Sequence, residues 1–367
     1  MVGQAVSPAD PASRVILKSV AFNPSSLSRV CVRATNWLGD AVMSLPAIRA
    51  IRRVFPHAHL AVIARPWVAD LYSRESAIDC VIPYTARKGL RAKREFAARL
   101  RAERFDGAIL LQNAFDAAFI AWLAGIPERI GYSRDARRFL LTRAIAVPEP
   151  GDIPRHERFY YLELLRRAGM MERLPAEDAI RLDGIDAARQ AGEAQLSALG
   201  IAGPVIGISP GAAYGNAKRW LPERFVESAR SLPGYTVLIF GAPAERELCQ
   251  SIAGQIPNAR NLAGATTLRE FIDLAAACRL FLTNDSGAMH VASALGVPTV
   301  AIFGATDDTT TGPTGALARV VREHAECSPC LLRECPIDHR CMTAVTAQRV
   351  STTARELLDQ WTLEAKS

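Results

Sequence analysis

Two series of short apolar runs, each run separated from the next by a longer segment with helical periodicity, constrain this chain more than any other feature. The first series starts at Arg29: "RVCVR" (29–33), "HLAVIA" (59–64), "CVIPY" (80–84) and "GAILLQ" (107–112) read as strands. Between the first two lies "DAVMSLPAIRAIRRVF" (40–55), where Leu45, Ile48, Ile51 and Phe55 share one helical face opposite arginines. Pro46 falls beyond the first turn of that segment and predicts a kink or two abutting pieces. The same grammar restarts at "PVIGISPG" (204–211) and continues through "YTVLIFG" (235–241), "RLFLT" (279–283) and "TVAIFG" (299–304). Strand–helix–strand repetition of this kind gives parallel sheets covered on both faces.

The two series predict two doubly wound α/β domains, an acceptor-side unit over 29–186 and a second over 187–348. A closing helix follows over 349–367, and residues 1–28 form a disordered lead-in. A length of 367 residues, 49% hydrophobic and 22% charged, suits two soluble cores. No run of about 18 apolar residues suggests a membrane span, and the first residues lack the basic start and apolar block of a secretory signal. The net charge of +7 favours phosphates, an anionic membrane face or nucleic acid as partners. Cys31, Cys80, Cys249 and Cys278 are scattered and read as reduced core thiols of a cytosolic protein.

In doubly wound sheets, ligands bind outside the carboxyl ends of the strands. Three polar stretches occupy such ends. "NDSGAMH" (284–290) joins a strand to a helix, so unpaired amide groups and the helix dipole can hold an anion there. Asp285 or Ser286 could equally be a simple helix cap. "SPGAAYGNAKRW" (209–220) is a glycine-rich loop carrying Lys218 and Arg219, suited to a diphosphate or to an ordinary turn with solvated bases. It lacks the Gly-Lys-Ser/Thr of a Walker loop, and no Gly-x-Gly-x-x-Gly follows either domain's first strand, which counts against nicotinamide and flavin chemistry. "RATNWLGDAV" (33–42) places Asp40 at a helix start facing the expected cleft, as a general base or as a cap.

Taken together, "TNWLGDAVMSLPAIRAIRRVFP", "PGAAYGNAKRWLPERF" and "NDSGAMHVASALGVPTVAIFGATD" resemble, in order and spacing, the motifs of the glycosyltransferase family 9 heptosyltransferases, from about Arg29 to the last helix. The resemblance implies a GT-B fold, two Rossmann-like domains facing an interdomain cleft, with ADP-heptose as the donor. It implies Asp40 as catalytic base and Lys218 as a ligand of the donor diphosphate. Asp285 would lie near the donor sugar, with Ser286, Gly287 and Ala288 forming the phosphate loop. Glu245 aligns with an acidic nucleoside contact. His290 shares the motif as a donor-side residue or a packed side chain. The implied acceptor is the anionic inner core of lipopolysaccharide, reached at the cytoplasmic face of the inner membrane.

No Asp-x-Asp spacing occurs, so the acidic pair that commonly carries a divalent ion on a nucleotide-sugar is missing. A lysine plus helix-start amides can stabilise a departing diphosphate instead. One base and no evident protein nucleophile imply a single inverting displacement. "TARKGLRAKREFAARLRAERF" (85–105) carries eight Arg/Lys against two Glu on an expected helix. Its Arg87, Lys88 and Arg91, with Arg134 in "YSRDARRFLLTR" (132–143), are candidate contacts to acceptor phosphates or the anionic leaflet, against the alternative of a solvated face. Neither segment interleaves aromatics as single-strand binders do, so nucleic acid is not expected. Cys327, Cys330, Cys335 and Cys341 lie close enough in sequence for structural zinc, reduced thiols or a local disulfide. The rivals to a heptosyltransferase are a relative with another sugar or acceptor, and a non-catalytic nucleotide-sugar-binding regulator.

Overall fold

The computed structural model of the protein describes residues 27–85, 89–176 and 179–364. The first half runs β1 (Arg29–Arg33), α1 (Leu38–Val54), β2 (His59–Ala64), α2 (Pro66–Tyr72), β3 (Cys80–Pro83) and α3 (Leu90–Ala102). It continues through β4 (Gly107–Leu110), α4 (Phe115–Leu123), β5 (Glu128–Tyr132), β6 (Arg143–Ile145) and α5 (Arg158–Arg167). The second half begins with α6 (Ile185–Ala198), β7 (Val205–Ser209), α7 (Pro222–Arg230), β8 (Thr236–Ile239), α8 (Arg246–Ala253) and β9 (Ala259–Asn261). Then come α9 (Leu268–Ala276), β10 (Leu280–Asn284), α10 (Gly287–Ala294), β11 (Thr299–Ile302) and α11 (Asp308–Thr311). The chain closes with β12 (Ala318–Val321), α12 (Arg340–Thr343) and α13 (Ala347–Glu364), the last packed on α7.

The strands form two six-stranded sheets, ordered β3-β2-β1-β4-β5-β6 and β12-β11-β10-β7-β8-β9. Their pairings are parallel: Val30 lies opposite Leu60 on one side and Gly107 on the other, and Leu282 opposite Ile208 and Val300. In each sheet the chain reverses direction across the sheet at one central pair, β1/β4 in the first and β7/β10 in the second, and the loops leaving those pairs open a crevice. The central strands are buried along almost their whole length, as apolar runs covered by helices on both faces must be. One continuous apolar cluster includes Val30, Val32, Ile48 and Leu162 of the first half with Phe240, Ile272, Phe281 and Val291 of the second. The two halves thus share a core beneath the cleft.

Three expectations need correction. α1 continues through Pro46 as one helix and not as two abutting pieces, because its flanks (Ala41 to Leu45, Ala47, Ile48, Ala50 and Ile51) are buried and packing outweighs the one lost backbone hydrogen bond. It also starts at Leu38, so Asp40 is the third helical residue and the cap position belongs to Trp37. β5 and the edge strands β6, β9 and β12 escape the apolar pattern because they are short and carry charge, as in "ERIGY" and "ARN". The expected lead-in lies outside the described residues up to position 26; Leu27 packs beside Gly107, and Ser28 bonds the Asp106 carboxylate.

Candidate functional site: two facing helix starts

The β7/β10 pair of the second sheet delivers two of the sequence's polar stretches to one place. The loop after β7 brings Lys218, and the turn after β10 brings Asp285, to a 2.6 Å ion pair. Thr306, leaving β11, donates its hydroxyl to the same Asp285 oxygen at 2.6 Å. Asp285 is buried, and a buried carboxylate is tolerable only with such partners. Lysine has three donors, and one is spent on Asp285. The ammonium also sits 4.8 Å from the centre of the Tyr214 ring. Beneath them, Asn284 ties the loop to the sheet, accepting from Trp220 N–H at 3.0 Å and donating to the Pro210 carbonyl at 2.7 Å.

Ser286 occupies the cap position of α10 in extended conformation, yet its side chain makes no cap hydrogen bond; its hydroxyl lies 3.2 Å from that of Thr283. The first amides of α10, beginning at Gly287 and Ala288, therefore keep the free N–H groups of a helix start. Asp285 is not the cap either.

The start of α1 approaches from the first domain. A Cβ on Gly39 would lie 2.9 Å from the His290 ring, and one on Gly287 would lie 2.8 Å from Leu38 Cβ. Glycine at both positions is what lets the two helix starts touch. His290 is buried in this contact, and burial, with help from the His156 and Lys218 charges, pushes its pKa down to about 4. It is a neutral, packed ring at neutral pH.

Asp40 lies half-buried beside this contact, and among the described residues no donor bonds its carboxylate. Burial raises its pKa to about 6, with the Lys218 charge opposing the rise. Glu157, on the segment entering α5, is raised to about 7 by burial and by the Asp40 charge. These two carboxyls and Tyr161, whose hydroxyl burial pushes well above its usual range, form a desolvated acidic cluster, in which Asp40 is the member that feels the Lys218 charge. The segment that carries Glu157 crosses to the second domain: its N–H bonds the Thr310 carbonyl, and Arg155 pairs with Asp307 at 2.6 Å. Glu157, Tyr161 and Thr306 join the site without having been singled out by the sequence. The cluster "RHER" amid prolines was the signal available for Glu157.

The remaining candidates scatter. Glu245 lies at the ends of β7 and β8, against Gly211 and Gly241, accepting from Ala242 N–H at 2.9 Å with Arg219 3.8 Å away. Arg134 lies near the acidic cluster, reaching the Tyr160 hydroxyl at 3.5 Å and lowering the Glu157 pKa. Arg91 points outward from α3, 94% exposed and paired with Glu95. Arg87 and Lys88 lie outside the described residues. Arg137, unremarked in the sequence, is wholly buried and bonds the carbonyls of Tyr132 and Gln112 and the Asn113 side chain, fixing the loops after β4 and β5.

The cysteine-rich segment braces the donor-side loop. Arg333 carbonyl accepts from Ala217 N–H at 3.0 Å, Tyr214 hydroxyl donates to Leu331 carbonyl at 2.9 Å, and Asn216 accepts from Cys335 N–H at 3.3 Å. Cys341 is buried, and its thiol is pushed up by burial and by the three neighbouring cysteines. All four are free thiols, and among the described residues no His, Cys, Asp or Glu group is disposed to hold a metal ion. Of the three alternatives the sequence left open, the structure shows the free thiols: Cys341 packs into the second domain's core beside Gly304, while Cys335 follows the Lys218 loop.

Two Rossmann-like domains with a shared cleft, an anion-ready helix start on one side and a desolvated carboxylate on the other, define a glycosyltransferase of the GT-B class. The chain matches the glycosyltransferase family 9 (heptosyltransferase) pattern over residues 93–340. It is 32% identical over 307 residues to lipopolysaccharide heptosyltransferase 2 of Escherichia coli K12, covering 80% of this chain and 88% of that one. Lipooligosaccharide heptosyltransferase 2 of Haemophilus influenzae is 30% identical, with the same coverage. The solved structure of E. coli ADP-heptose lps heptosyltransferase II superposes with a TM-score of 0.76 at 30% identity, covering 90% of this chain and 99% of that one. The chain belongs to glycosyltransferase family 9.

Proposed function

We propose that the protein transfers L-glycero-D-manno-heptose from ADP-heptose to the inner core of lipopolysaccharide, at a heptosyl-Kdo2-lipid A type acceptor. The observation that carries this reading is the meeting of Asp40 with the Lys218–Asp285 pair at two touching helix starts. The second unit, 187–348, holds the donor. Lys218 turns its two remaining N–H donors to the diphosphate, Asp285 and Thr306 hold the ammonium in place, and the free amides of Gly287 and Ala288 receive a phosphate oxygen. Glu245 lies one strand further, toward the nucleoside. The first unit, 29–186, presents the acceptor, with Arg134 at the cleft rim as an anion contact.

In the reaction, the acceptor hydroxyl oxygen attacks the anomeric carbon as the bond from that carbon to the diphosphate oxygen breaks. The hydroxyl proton passes to Asp40, and the negative charge leaving with ADP is met by Lys218 and the start of α10. One displacement inverts the anomeric centre. A carboxyl titrating at about 6 is ionised at neutral pH and close enough to that range to accept a proton late in the step. The protein works at the cytoplasmic face of the inner membrane, where its lipid-linked acceptor resides.

The test is mass spectrometry of truncated inner-core lipopolysaccharide after incubation with ADP-heptose and the purified protein, with and without EDTA. One added heptose under both conditions supports the reading. No added heptose, with ADP-heptose still bound in calorimetry, would favour the non-catalytic regulator. Loss of transfer only in EDTA would overturn leaving-group stabilisation by Lys218 and the helix start alone.

A further inference from the structure

α4 is a surface helix that is apolar on both faces. Its inner face, Ala117, Ala118, Ile120 and Ala121, packs on the first sheet. Its outer face carries Phe115, Phe119 and Trp122, stacked in sequence at 5.8 and 6.0 Å, and Phe139 extends the row 6.3 Å from Phe115. Phe139 is 76% exposed, Trp122 49% and Phe115 38%. The helix's one charge, Asp116, is neutralised by Lys93 at 2.6 Å. A contiguous aromatic row of this kind on a water-exposed helix is unfavourable unless something covers it.

Its surroundings indicate what. α3 lies alongside, joined to α4 at both ends by Lys93–Asp116 and by Arg101 to the Leu123 carbonyl. From Leu90 to Arg104 the chain holds six bases and two acids, and both acids are already engaged, Glu95 by Arg91 and Glu103 by Arg29. Arg94, Arg99, Arg101 and, beside Phe139, Arg138 remain exposed. Aromatic side chains favour the headgroup level of a bilayer, and exposed arginines around them favour an anionic leaflet. A protein partner of like composition would have to match the apolar row and the basic stripe at once; an anionic bilayer supplies both complements.

We propose that the outer face of α4, with Phe139, inserts into the interfacial layer of an anionic membrane, and that the arginines of α3 rest on its headgroups. This rests on the acceptor reading above and gives it a geometry. α4 begins just beyond the end of β4, one of the two strands that open the first domain's crevice, and neighbouring Asn113 bonds the Tyr160 hydroxyl at the cleft. A bilayer meeting Phe115 and Phe139 is therefore at the rim of the cleft, where a lipid-linked acceptor emerges.

The experiment is co-sedimentation of the full chain with vesicles of phosphatidylethanolamine and phosphatidylglycerol, and with vesicles of phosphatidylcholine alone. Wild type should partition onto the anionic vesicles at least about tenfold better than onto the neutral ones. The double variant Trp122→Ser, Phe139→Ser should lose about tenfold or more of that partition, and Arg94→Glu, Arg99→Glu should lose the preference for anionic lipid. Thermal melts confirm that these surface variants fold, and transfer to a delipidated core oligosaccharide should be unchanged in them. Equal binding of wild type and the aromatic double variant overturns the proposal. So does a wild-type dimer that the double variant abolishes, since a second copy would then cover the face. Failure of transfer to the soluble acceptor by wild type refutes the acceptor reading while leaving membrane binding to be judged on the vesicles.

Discussion

Replacing Asp40 by Asn separates chemistry from structure at one atom. The carboxyl is raised from 3.8 to about 6, a difference of about 2.2 pH units. At about 1.4 kcal/mol per unit, ionising Asp40 in the folded protein costs about 3 kcal/mol more than in the unfolded chain, or about 2 kcal/mol after allowing for water reaching a half-buried group. The sign follows from linkage. With a pKa raised on folding, the native state holds the proton more tightly, so this group's contribution to stability is present below about 4 and lost as pH rises through about 6. Asparagine keeps the shape and never ionises. Urea melts should therefore show Asp40→Asn more stable than wild type by about 2–3 kcal/mol at pH 8 and nearly equal at pH 4. Turnover under saturating donor and acceptor should fall roughly 10²–10⁴-fold, the share of general-base catalysis, with ADP-heptose affinity little changed. In wild type, kcat/KM should decline as pH drops below about 6, as the base takes up its proton. Near wild-type turnover in the variant would refute the mechanism. A variant less stable than wild type at pH 8 would refute the desolvation argument, because it would mean the charge is welcomed where it sits.

Lys218→Ala should weaken ADP binding by roughly 1.5–3 kcal/mol in calorimetry, the range for hydrogen bonds to a charged group. It should also lower stability, since Asp285 would keep only Thr306; unchanged ADP affinity would remove Lys218 from the diphosphate site. Gly287→Ala puts a methyl 2.8 Å from Leu38 Cβ and should cost about 1–3 kcal/mol of stability together with turnover, as the helix starts are forced apart. A variant matching wild type in both melts and rate would show that the contact can yield at no cost.

The centre of the fold was legible and its margins were not, for one reason. Buried strands such as β1, β7 and β10 must be largely apolar along their length, whereas an edge strand such as "ARN" has one side and one face free and takes whatever charge solubility favours. At the site, glycines and polar residues at strand ends exposed Asp40, Lys218 and Asp285 one by one. That Lys218 and Asp285 form a pair was not readable, because it depends on β7 and β10 lying side by side across 67 residues of chain. Glu157 stayed hidden because a Pro-rich stretch looks like a connector whether or not it crosses a cleft. For Arg91, periodicity correctly gave a helix, but the heavy basic charge of α3 does not say which arginines turn toward Asp40, and Arg91 turns away.

The apolar cluster shared by the two domains sets a thermal rule for the cleft. Were the halves joined only by ion pairs such as Arg155–Asp307, parting them would mainly trade charge for hydration. Here parting them also wets the apolar surface where α1 packs on α10, so opening carries a positive heat-capacity change. The closed arrangement then draws its advantage from water and loses part of it on cooling. A nucleotide held between the halves, as proposed above, would be gripped less firmly as temperature falls and more firmly as it rises toward the point where the fold itself gives way.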